Sequence, residues 1–123
     1  NELLGNSNTI SVIIDGTKLA TDNAPVIVDN YTLLPLRDIS EALGAEVSWD
    51  AHTKTAVITK DNNIISITVN SDTMLVNNNS VSVSVPAQII NNTAYIPVRS
   101  LATALNCLVN WDQENKIVNI NTI

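Results

Sequence analysis

Residues 34–50 read Leu-Pro-Leu-Arg-Asp-Ile-Ser-Glu-Ala-Leu-Gly-Ala-Glu-Val-Ser-Trp-Asp. Residues 96–112, an offset of 62 positions, read Ile-Pro-Val-Arg-Ser-Leu-Ala-Thr-Ala-Leu-Asn-Cys-Leu-Val-Asn-Trp-Asp. Within each stretch apolar residues recur at helical spacing: Leu36, Ile39 and Leu43, then Val98, Leu101 and Leu105. Each stripe predicts a short helix laid on a sheet. Pro35 and Pro97 suit a first helical position, where the missing N–H costs nothing. Gly44 and Asn106 follow the last apolar residue, and Gly and Asn are the residues that commonly end a helix in the left-handed region. Their exchange is a physical equivalence. After each helix, Glu46–Trp49 and Leu108–Trp111 are expected to pair with Lys54–Thr59 and Lys116–Asn121 as hairpins.

Working outward, Asp29-Asn30 and Asn91-Asn92 each separate two short β-branched or apolar runs, and Asp15-Gly16 has its counterpart at Asn77-Asn78. These are turn pairs, because Gly, Asn and Asp accept positive φ. Between the two stretches, Asn63–Val69 alternates through Ile65, Ile67 and Val69 and reads as a linking strand. The expected fold is α+β: mainly antiparallel sheet with one short helix per pseudo-repeat, a duplicated strand–helix–hairpin unit. One compact domain is expected, with pseudo-repeats at about 12–60 and 74–121, an N-terminal extension 1–11 and the linking strand 63–69. Two copies are too few for a solenoid.

Composition narrows the function. The 123 residues carry 12 acidic and 6 basic side chains, a formal charge of −6. Nucleic-acid binding needs clustered Lys and Arg, and the 3% aromatic content supplies few stacking platforms, so nucleic acid is excluded as a partner. No apolar run approaches the roughly 18 residues of a membrane span. With 45% hydrophobic and 15% charged residues, the chain is not disordered in character. It starts at Asn1 rather than Met; a leader or upstream sequence is expected to have been removed.

The stretch from Ala24 to Ile58, with its Leu-Pro-Leu-Arg element, Ala-Leu-Gly-Ala helix end, Val-Ser-Trp-Asp strand and Thr-Lys-Thr-Ala-Val-Ile run, resembles the copper amine oxidase N-terminal domain family, also called stalk domains. Residues 12–60 match closely and residues 74–121 more loosely, with Asn106-Cys107 in place of Gly-Ala. On this reading the chain holds two tandem copies of the motif. The resemblance implies a small sheet wrapped on a helix, found in exported proteins of bacteria with a cell wall. It implies no chemistry: the oxidase activity of proteins carrying this domain lies in a separate domain with three copper-binding His and a modified Tyr. With His52 alone, no such copper site is expected here, and no cofactor or metal is assigned.

Each candidate residue has a structural and a functional reading. Trp49 and Trp111 are expected in the core, because Trp is mostly buried; exposed, they would be sugar-stacking platforms. Asp50 and Asp112 are expected to open the hairpins. Arg37 and Arg99 stand in the first turn of a helix, where the dipole disfavours a cation. A bidentate bridge to Asp38, Glu41 or Asp50, and to Asp112 in the second copy, is expected to compensate, with a binding site for an anion or wall polymer as the lesser reading. Cys107 lies where Ala45 does in the first copy and is expected to be a small buried hydrophobe; a catalytic thiol would need a base, and His52 sits in a turn of the other half. A lone His is no zinc site. Most of the scattered carboxylates fall at turns, with no calcium loop, phosphate loop or nucleophile elbow.

The expected function is therefore non-catalytic: an exported bacterial cell-surface domain for structure or interaction. Self-assembly into a filament or lattice by β-strand addition would run through Ile10, Val12 and Ile14. Partners would be copies of itself, other surface proteins or wall polymer. The alternative is a module binding cell-wall carbohydrate or peptide, which needs Trp49, Trp111, Tyr31 or Tyr95 exposed on one face.

Overall fold

The computed structural model describes residues 10–83 and 85–122. The expected N-terminal extension lies almost wholly at residues 1–9, outside the described residues. The described chain is mostly β-sheet with two short helices, an α+β arrangement. Its first half runs β1 (Ser11–Ile14), β2 (Thr17–Lys18), β3 (Val26–Val28), β4 (Tyr31–Pro35), α1 (Leu36–Ala42), β5 (Glu46–Asp50), β6 (Thr55–Lys60) and β7 (Asn63–Thr68). The second runs β8 (Thr73–Val76), β9 (Asn79–Ser82), β10 (Gln88–Ile90), β11 (Thr93–Pro97), α2 (Val98–Leu105), β12 (Cys107–Asp112) and β13 (Ile117–Thr122).

The strands form three sheets, ordered β10-β11-β4-β3, β5-β6-β7-β8-β9 and β12-β13-β1-β2. In the first, β4 and β11 pair antiparallel with Leu34 opposite Ile96, flanked by Tyr95–Pro35 and Pro97–Leu33. That register is centred on residues 62 apart. The other two sheets differ. β6 is followed by β7 as an antiparallel partner, whereas β13 takes β1, from the opposite end of the chain, as a parallel neighbour.

Turn chemistry sets the hairpins. Asp15-Gly16, Asp29-Asn30, Asn77-Asn78 and Asn91-Asn92 join their strands, and every one of these residues has positive φ. This is the backbone of the two-residue turn whose twist matches paired strands. Lys54 and Lys116, with φ 53° and 57°, close the β5–β6 and β12–β13 connections; no residue-type signal marks them, since Lys is an unusual left-handed residue.

Both helices bury the expected stripe: Leu36, Ile39 and Leu43, and Val98, Leu101 and Leu105 are all inside. One correction concerns the prolines. Pro35 and Pro97 are the N-caps, with extended ψ of 117° and 134°, and each also ends a strand. The sheet continues to the residue where the helix starts, so proline's fixed φ serves the strand's last position rather than the helix's first. Gly44, just beyond α1, has φ +87°, and Asn106 caps α2 at φ 60°.

The main core joins side chains from both helices and all three sheets. In β4, Leu34 enters it while Leu33 points the other way, into a smaller cluster with Val85 and Tyr95. Ser40, on α1, is the exception: it is fully buried and its hydroxyl has no hydrogen-bond partner among the described residues. An unpaired buried hydroxyl forfeits its water without return. Ser40→Ala is expected to raise stability by about 1 kcal/mol, since it removes that group and improves helix propensity. Urea denaturation checks it, and a loss of stability would mean that Oγ has a partner.

Candidate functional site

The side chains expected for self-association are inside the molecule. Ile10, Val12 and Ile14 all lie in the main core, and β1 is held between β13 and β2. This corrects the expected edge role: alternation along this segment reflects inward burial, so the three side chains cannot reach a neighbour.

Arg37 points across the mouth of α1 and not into a bidentate bridge. One nitrogen, Nη1, donates to Glu41 Oε2 at 3.4 Å and to the carbonyl of Val47, on β5, at 3.3 Å. Both side chains of the ion pair are about half exposed. An exposed pair with spacing i, i+4 is worth about 0.3–0.5 kcal/mol. Arg37→Lys is therefore expected to change stability by less than about 0.5 kcal/mol, measured by thermal or urea denaturation; a larger loss would restore the bidentate assignment. Among the described residues Arg99 makes no ion pair with Asp112.

The two aspartates organise their turns. Asp50 Oδ1 accepts from the backbone N–H of His52 at 2.9 Å and, more weakly, of Thr53. Asp112 accepts from the backbone N–H of Asn115 at 3.0 Å and from its side-chain amide at 3.0 Å. The Asn115 side-chain bond, then its backbone bond, hold the Asp112 carboxyl below the usual range, with a smaller contribution from Glu114 N–H. A carboxyl depressed on folding stabilises above its unfolded value of about 3.9, and that stability is lost as pH falls through the folded value. Asp112→Ala is thus expected to destabilise at neutral pH, with a difference that fades below about pH 4; a difference that persists in acid would show a different role.

The tryptophans separate. Trp111 is half-buried and packs against the main core. Trp49 is 40% exposed, contrary to the expected core position. Both indoles stand on outermost strands, β5 and β12, so neither is covered on all sides. Tyr95 is buried, with its hydroxyl donating to the Ala24 carbonyl at 2.8 Å, while Tyr31 is exposed. Burial raises the Tyr95 pKa, with nearby Asp38 adding to it. The four aromatic residues therefore do not share one exposed face.

They do mark two clefts. The larger, about 590 Å³, is lined by Arg37 and Trp49 together with Ile89 and Asn92 from the β10–β11 hairpin. The smaller, about 480 Å³, is lined by Arg99 and Trp111 together with Ile27 and Asn30 from the β3–β4 hairpin. Each cleft thus combines a helix start and a strand of one half with a turn of the other. No local motif announces such a site, which is why the sequence does not reveal it.

Cys107 is half-buried near the Leu105 carbonyl, and burial pushes its thiol pKa up, away from a reactive thiolate. His52 is exposed in its turn. Among the described residues no group of three or more His, Cys, Asp or Glu could hold a metal ion. No described helix is long and apolar enough to cross a membrane.

No curated protein sequence matches the chain. A family model, the copper amine oxidase N-terminal domain, matches residues 13–120 in a single stretch that runs through both halves. That N-terminal domain is a non-catalytic stalk domain of the oxidases. The match takes in both helices and both clefts and extends from β1 to β13, and the chain belongs to the copper amine oxidase N-terminal domain family.

Proposed function

We propose that this chain is a non-catalytic interaction domain of an exported bacterial surface protein, pairing with a second copy through the edge of β12, which no strand among the described residues covers. The observation that carries the reading is a difference between edges. β12 is the longest edge strand, carries no charge before Asp112, and leaves Leu108 63% exposed. The corresponding edge β5 carries Glu46 and Asp50, and Arg37 occupies the Val47 carbonyl. The other edges, β2, β3, β9 and β10, have four residues or fewer. An uncharged edge with unpaired N–H and C=O groups is a template for another strand, and a charge on it blocks pairing. Two copies related by a two-fold axis would lay β12 antiparallel to β12.

The family resemblance supports the exported setting, and the correspondence of residues 62 apart supports an origin by duplication of one strand–helix–hairpin unit. Sedimentation of the purified chain tests the pairing. The expected result is a dimer that Leu108→Lys converts to a 13.2 kDa monomer. A monomeric wild type at every concentration, or a dimer indifferent to Leu108→Lys, would overturn it.

A further inference from the structure

The two clefts carry an inference that does not require pairing through β12, although Val109 and Trp111 of that strand line the smaller one. Every residue lining the smaller cleft stands 62 positions from a residue lining the larger one: Arg99 from Arg37, Trp111 from Trp49, Asn30 from Asn92. The fold thus presents one constellation twice. In each, a Trp ring and an Ile make an apolar floor, and an Arg and an Asn supply polar groups beside it. The charge is also alike. The larger cleft holds Arg37 and Lys54 against Asp38, a balance of +1, and the smaller holds Arg99 alone, again +1. Counted over the lining residues both are positive in a chain whose net charge is −6, with Glu41 beside Arg37 offsetting part of that charge in the larger cleft. Asp38 is moreover engaged internally, accepting from the Thr21 hydroxyl and from the Asn23 amide.

These groups match one ligand chemistry. The face of an indole is electron-rich and attracts the C–H face of a sugar ring. Asn offers a donor and an acceptor to hydroxyls. Arg presents a planar fork that fits a carboxylate, and its weak, exposed pairing with Glu41 in the larger cleft leaves it free to exchange partners. We propose that each cleft is a subsite for a carboxylate-bearing sugar, a uronate unit of an acidic polysaccharide, with the Trp under the ring and the Arg on the carboxylate. Trp49 is the more exposed of the two indoles, so the larger cleft is the stronger site.

The test is a titration of the intact chain with tetragalacturonate, followed by tryptophan fluorescence and by amide NMR shifts, with the neutral tetramer of N-acetylglucosamine as control. The expected result is saturable binding of the uronate, with NMR shifts at both clefts. Arg37→Gln and Arg99→Gln should each weaken their own cleft about tenfold or more and leave the fold unchanged by circular dichroism. Trp49→Ala should remove most of the fluorescence response. No saturable response to the uronate would overturn the proposal. So would a neutral tetramer binding as tightly, or full binding by the Arg37→Gln/Arg99→Gln double variant.

Discussion

Leu34→Ala is expected to cost about 3–4 kcal/mol of stability, the largest loss of any single change considered. Leu34 is fully buried and faces Ile96, itself 1% exposed, at the centre of the β4–β11 pairing. Both lie in the main core, where side chains from the two halves meet, so truncation leaves a cavity among closely packed side chains. For a domain of this size the melting temperature should fall by roughly 10–20 °C. Ile96→Ala should behave alike. Because the two side chains share one site, the double variant should depart from additivity by about 0.5–3 kcal/mol. Thermal and urea denaturation of the four proteins checks this. A loss under about 1 kcal/mol for Leu34→Ala would mean that the β4–β11 seam is not where the halves are joined.

Asn106→Val is expected to cost about 2 kcal/mol, whereas Asn106→Gly should be close to neutral. Asn106 sits at φ 60° and ψ 52°, with its backbone N–H returned to the last turn of α2. A β-branched side chain in that region collides with its own backbone. The cap has no room to move, because β12 starts at the next residue, Cys107, and fixes the direction of the chain. Recovery by Gly but not by Ala would identify backbone conformation as the cause; equal stability of the Val variant would mean that α2 ends elsewhere.

Local physics was readable from residues alone. The burial of Leu36, Ile39, Leu43, Val98, Leu101 and Leu105 follows from helical period, and the positive φ of Gly44, Asn106 and the four turn pairs follows from which residues tolerate it. Asp50 and Asp112 organise turns because a carboxylate one or two residues before a bend can reach the free N–H groups. The Lys turns at 54 and 116 were not legible, since nothing in a lysine marks a left-handed position.

Local sequence thus set the elements, their order and the apolar faces of the two helices, because each depends on residues within one turn or one strand. Tertiary structure decided everything that depends on neighbours distant in the chain. It set β1 beside β13 and so buried Ile10, Val12 and Ile14. It left β5 and β12 outermost and both indoles partly uncovered, and it brought Arg37 and Trp49 to Asn92, and Arg99 and Trp111 to Asn30. The reason is that a periodic pattern specifies which side of an element is apolar, while the identity of whatever covers that side is fixed only when separate elements compete to cover it.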